Sequence, residues 1–133
     1  MKREELRVGN LVEDQKGQIR EVKCIDSNNE DCLYLKIPTC SLAIGRHSLK
    51  DICPINIDED ILIKCGLKRI VDGLFYGFKS SVGYVVPYQN GAYGLYQYVK
   101  SDEYIARFTY LHELQNLYYA LTKEELDVSK LLK

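Results

Sequence analysis

An α+β protein is predicted, and three observations carry that prediction. Short apolar runs separated by turn residues fill residues 1–53, the dipeptides Asp72-Gly73 and Asn90-Gly91 punctuate residues 67–99, and apolar residues recur at helical spacing over 58–65 and about 109–121. The expected arrangement over 1–56 is a small N-terminal curled β-sheet or SH3-like barrel. Residues 57–133 then give a short helix, an antiparallel β-meander and a C-terminal helix packed across it, closely packed on the first part. A chain of 133 residues has room for one ordinary domain or two very small ones.

Leu11-Val12-Glu13 and the run beginning at Ile19 flank Gln15-Lys16-Gly17-Gln18, which makes a hairpin. The polar cluster Asp26-Ser27-Asn28-Asn29-Glu30-Asp31 is a surface turn, and Cys32 to Ile37 returns as a third strand that Pro38 interrupts. Leu42-Ala43-Ile44 and Ser48 to Ile52 add short pieces. His47, between Arg46 and Ser48, reads as a solvated loop histidine in preference to a ligand or general base, because the sequence places no second titratable group beside it. Arg46 and Lys50 are available to an anion.

The first helix spans 58–65. Asp58 suits the N-cap, Glu59 and Asp60 suit the positive end of the helix dipole, and Gly66 supplies the stop. Ile57 and Leu62 stand at the positions of a hydrophobic staple. A metal site at Asp58-Glu59-Asp60 is the weaker reading, since consecutive helical residues point in different directions.

The meander follows from two turn dipeptides that favour positive φ. Asp72-Gly73 lies between Lys68-Arg69-Ile70-Val71 and Leu74 to Phe78; Asn90-Gly91 lies between Tyr84 to Gln89 and Ala92 to Val99. A two-residue turn at Asn90-Gly91 pairs Tyr88 with Tyr93 and Val86 with Leu95 on one face, and Pro87 with Gly94 on the other. Pro87 marks an edge or a bulge. Tyr104 to Phe108 gives a fifth strand.

Over Tyr110–Leu121, the apolar stripe is Leu111, Leu114, Tyr118 and Leu121, with Tyr110 and Leu117 beside it. His112, Gln115, Asn116 and Tyr119 form the opposite, polar strip. The plainer reading of this strip is that its side chains satisfy backbone groups of the first half of the chain. The sharper one is a recognition surface. Thr122-Lys123-Glu124-Glu125 has the pattern of a capping box, which predicts a short terminal helix through Leu126 and a fraying tail at 130–133.

Leu6-Arg7-Val8-Gly9-Asn10, Pro54-Ile55-Asn56-Ile57-Asp58, Leu62-Ile63-Lys64-Cys65-Gly66-Leu67 and His112-Glu113-Leu114-Gln115-Asn116-Leu117-Tyr118 with Ala120-Leu121-Thr122 carry a resemblance. The chain resembles a group of small uncharacterised proteins of Bacteroides-type genomes and their prophages, over most of its length. The resemblance implies a bacterial, mobile-element setting and carries over no catalytic residue. Similar sequences often have Gly after Ala-Leu-Thr, where it would suit a left-handed helix cap; this chain has Lys123.

A formal net charge of −1, from 18 basic and 19 acidic residues, argues against an extended nucleic-acid footprint. There is no apolar run long enough for a membrane span, and the N-terminus lacks the apolar segment of a signal peptide, so a cytoplasmic location is expected. Cys24, Cys32, Cys40, Cys53 and Cys65 form no C-x-x-C pair and are expected as small buried hydrophobes. Of the eleven tyrosines and three phenylalanines, all but Tyr34 lie between residues 75 and 119. Tyrosine combines an apolar face with a polar tip, so these residues either fill a sheet–helix interface or form a recognition surface.

The function expected on these grounds is a non-enzymatic protein-interaction module, an accessory or regulatory protein of a phage or mobile element. Its partner-binding candidates are Tyr96, Tyr98, His112, Gln115, Asn116 and Tyr119, and the partner is a protein, a second copy of the chain included. No catalytic residue, cofactor or metal is assigned, nor a membrane or a specific nucleic acid. Two alternatives stand beside it. One is a small hydrolase or transferase using His112 with a cysteine or carboxylate brought near by folding. The other is weak nucleic-acid binding through Arg46, Lys50, Lys64, Lys68 and Arg69.

Overall fold

The computed structural model describes residues 5–25, 32–36, 44–69, 76–77, 84–87, 91–96 and 104–132. The class is α+β, with two antiparallel sheets. By contacts the chain divides into two compact units, Met1–Ile55 with Leu111–Asn116 and Asn56–Tyr110 with Leu117–Lys133. The sequence expectation divides the chain once, at 56/57. The C-terminal helix does not belong wholly to the meander, however: its first six residues join the first unit.

The first unit is built on a sheet of strands β1 (Leu11–Glu13), β2 (Ile19–Ile25), β3 (Cys32–Lys36) and β4 (Ile44–Ser48), in that spatial order. Asp14 shapes the first hairpin. Its Oδ1 accepts from the amides of Lys16 (2.9 Å) and Gln18 (3.0 Å), and its Oδ2 accepts from Arg20 Nη1 at 3.1 Å. Leu6, Val12, Val22, Leu33, Leu35 and Ile52 form the core, on the face that alternation along β2 and β3 turns inward. An irregularity in register between Val22 and Cys24 breaks that alternation and leaves Cys24 exposed. Cys53 is exposed as well, so the expectation of buried cysteines fails at these two positions and holds for Cys65, while Cys40 lies outside the described residues. His47 stands in β4 opposite Leu33, half-buried, and not in a solvated loop. Leu49–Asp51 is a single 3-10 turn.

In the second unit, α1 (Glu59–Lys64) begins as its sequence dictates, with Asp58 accepting from the Ile61 amide at 2.8 Å. Ile57 and Leu62, the staple pair, are buried. Strands β5 (Lys68–Arg69), β6 (Tyr76–Gly77), β7 (Tyr84–Pro87), β8 (Tyr93–Tyr96) and β9 (Tyr104–Phe108) form a meander in chain order. Lys68 pairs with Gly77 and Arg69 with Tyr76, as a two-residue turn at Asp72-Gly73 requires; the turn itself lies outside the described residues. The next hairpin differs by one residue from expectation. Val85 pairs with Leu95, Val86 with Gly94 and Pro87 with Tyr93, so an odd number of residues separates the strands, and Gly91 supplies a positive φ of 77°. The slip turns Val85, Leu95 and Phe108 to one buried face, where Tyr93 stacks on Phe108 with ring centroids 6.0 Å apart.

Helix α2 covers Leu111–Thr122. Leu111 and Leu114 are fully buried, but Leu121, expected in the same stripe, is 45% exposed. Nor does Thr122 start another helix. Its hydroxyl donates to Tyr118 O at 2.8 Å and accepts from the Glu124 amide at 3.1 Å, closing α2, and Lys123 follows at φ +63°. The expected terminal helix through Leu126 is replaced by an irregular segment and a 3-10 turn at Ser129–Leu131.

Candidate functional site

Gln115 and Asn116 of α2 lie on the N-terminal turn of the first unit. Arg7-Val8-Gly9-Asn10 closes through the Asn10 amide donating to Arg7 O at 3.0 Å, and Gly9 takes φ +99°, a conformation that favours glycine. Asn10 Oδ1 accepts back from the Arg7 amide at 2.7 Å. This turn precedes β1, which is an edge strand and therefore presents unpaired peptide groups.

Two residues of the first unit's helical segment meet those groups. Gln115 Oε1 accepts from the Leu11 amide at 2.8 Å, and its Nε2 donates to Gly9 O at 3.1 Å. One side-chain amide thus substitutes for a neighbouring peptide on either side of Asn10. Asn116 Oδ1 accepts from Asn10 Nδ2 (2.8 Å) and Arg7 Nε (3.1 Å), while its Nδ2 donates to Glu5 O (3.0 Å). Further along β1 the edge is covered by main chain, where Glu13 and Cys53 exchange two 2.9 Å hydrogen bonds. Ile55 O receives the Leu111 amide at 2.8 Å, which fixes the start of the helix to the same unit.

His112 is 1% exposed, with Nε2 3.7 Å from Glu5 Oε2. Burial pushes its pKa below the usual imidazole value, and the opposing pull of Glu113 and Glu5 does not restore it. The ring is therefore neutral near pH 7. Cys65, in the second unit, is pushed up to about 12 by burial and by Asp127, which makes its thiol inert as a nucleophile.

The six candidate residues thus fall in different environments. His112 and Gln115 are buried, and the side-chain amide of Asn116 is engaged within the first unit. Tyr119, in the second unit, is 37% exposed. Tyr96 is half-exposed on β8, and Tyr98 lies outside the described residues. Sequence spacing grouped His112, Gln115 and Asn116 but missed their counterparts Arg7 and Asn10, more than 100 positions away. In the second unit, Tyr119-Ala120-Leu121 forms three consecutive exposed residues at the end of α2. Of the basic residues considered for nucleic acid, Lys64 is engaged by Asp60 at 3.0 Å. Among the described residues, no group of three or more His, Cys, Asp and Glu side chains is placed to hold a metal ion. No described helix is long and apolar enough to cross a membrane.

Comparison of the chain with protein-family models, with curated proteins and with solved structures gave no match.

Proposed function

We propose that the chain is a non-enzymatic interaction module, an accessory or regulatory protein of a phage or mobile element, which takes a protein partner through the second unit. The observation that supports this reading is the end of α2. A helix end that leaves Tyr119, Ala120 and Leu121 in water consecutively exposes apolar surface that a partner would bury. Tyrosine is also well suited to such a contact, with a rigid apolar ring and a hydroxyl for the rim. The polar strip further up the helix is assigned to holding β1 rather than to recognition, because its amides already bond within the first unit. The mobile-element setting rests on the resemblance alone.

The test has two steps. The full chain is used to capture partners from a bacterial host, and the captured protein is then purified and titrated against wild type and a Tyr119→Ser, Leu121→Ser double variant. A direct complex that the double variant weakens at least about tenfold, with its urea midpoint unchanged, is the expected result for two hot-spot side chains. Equal binding by both folded forms would remove this surface. Sedimentation of the chain alone distinguishes a second copy as the partner.

A further inference from the structure

We propose that the cavity beside Arg20 in the first unit is a binding site for a small oxyanion, a phosphate or carboxylate group carried by a small molecule. The cavity measures about 370 Å³ and is lined by Asp14, Gln15, Lys16, Gln18, Arg20, Gly45 and His47. Ligand sites run from about 300 to 1,000 Å³, so a compact metabolite fits.

The sheet creates this space. Arg20 pairs with Val12, Val22 with Leu35, Leu35 with Gly45 and Leu33 with His47, which places Arg20, Gly45 and His47 on the face that carries the core. Position 45 has no side chain to fill its share of that face. Arg20 enters the gap, with its side chain only 8% exposed, and is held by Asp14 at Nη1 and by Lys36 O at Nε, the latter at 2.7 Å. A guanidinium offers five donors. Among the described residues, none meets its Nη2.

The charge pattern selects the ligand. Lys16, Arg20 and His47 supply nitrogen donors around the cavity, and among the described residues the side chains of Lys16 and His47 make no hydrogen bond or ion pair. Among the described residues Asp14 is the lining carboxylate, and both of its oxygens are engaged, one by two backbone amides and one by Arg20. Burial pushes the Asp14 carboxyl up, but the Gln18 amide, the Arg20 guanidinium and the Lys16 amide together hold it below its usual value. It is therefore ionised and fixes the guanidinium in place, and the remaining donors favour an anion over a cation. A guanidinium held in place by two partners keeps Nη2 as a fixed, charged donor for a carboxylate or phosphate oxygen.

The test is an amide-resolved NMR titration of the full chain with inorganic phosphate, with sodium chloride holding ionic strength constant. Saturable shifts at Lys16, Gly17, Gln18, Gly45 and His47 are expected, with a Kd of roughly a millimolar for so small a probe. Lys16→Gln, on an exposed loop, is expected to weaken binding about fivefold without disturbing the fold. Gly45→Val fills the cavity and should abolish saturation; if that variant does not fold, Lys16→Gln decides. Shifts that rise linearly, that spread over lysines elsewhere, or that Lys16→Gln leaves unchanged would overturn the site. A parallel titration with a short single-stranded oligonucleotide separates the sources. Saturation of the same amides at lower phosphate-group concentration than inorganic phosphate would assign the cavity to nucleic acid and overturn the small-molecule claim.

Discussion

Lys123 takes φ +63° at the end of α2, where its amide donates to Tyr119 O at 2.8 Å. This is a left-handed cap, and a side chain with a Cβ resists it by about 1 kcal/mol. Lys123→Gly is therefore expected to raise stability by about 0.5–1 kcal/mol, and a lowered urea midpoint would contradict that cap. His112 contributes the pH dependence. Its folded pKa is below the unfolded value of 6.5, so the unfolded chain binds the proton more readily. Stability from this group is present above about pH 6.5 and is lost as pH falls toward the folded pKa. Asp14 acts in a separate range: its folded pKa is also depressed, so its contribution is present above the unfolded value of 3.8 and is lost only below it. Urea midpoints measured from pH 7.5 to 5 should fall for wild type and fall less for His112→Gln.

Along α2, spacing made the helix and its first buried residues legible. Leu111 and Leu114 stand where the three-and-four rule puts them, and Leu114→Ala is expected to cost about 2–5 kcal/mol; a loss under about 0.5 kcal/mol would contradict its burial. The same rule failed at Leu121, because periodicity describes which residues share a side and is silent on what meets that side; for Gln115 and Asn116 the plainer reading of the polar face, hydrogen bonding to main chain of the first half, holds. In the N-terminal half of the helix both sides are buried, the second through hydrogen bonds to main chain. Capping logic worked at α1, where Asp58 has a helix to cap. It misled at Thr122, whose hydroxyl bonds to Tyr118 and Glu124 and ends the helix it was expected to follow. The β7–β8 hairpin shows a related limit. Asn90-Gly91 marked a hairpin, but loop length sets register, and a difference of one residue put Val85 rather than Val86 opposite Leu95.

At the scale of the whole chain, the first unit is discontinuous, since helical residues 111–116 group with the first 55. Gln115 reaches Leu11 across 104 positions and Asn116 reaches Asn10 across 106. Such pairings leave no local pattern, which is why Arg7 and Asn10 could not be read from the sequence as the partners of Asn116. The physical consequence is that the edge of β1 is covered by a side-chain amide whose removal leaves the Leu11 amide and Gly9 carbonyl without their partner. Holding β1 falls to Leu111–Asn116, whereas the proposed partner contact lies at Tyr119–Leu121, a different stretch of the same helix. Urea unfolding of Gln115→Leu, which keeps the side-chain volume and removes both hydrogen bonds, tests that assignment most directly. A loss of about 1–3 kcal/mol is predicted. A midpoint shift equivalent to less than about 0.5 kcal/mol would show that the amide is not a structural fastening and would return Gln115 to the candidates for recognition.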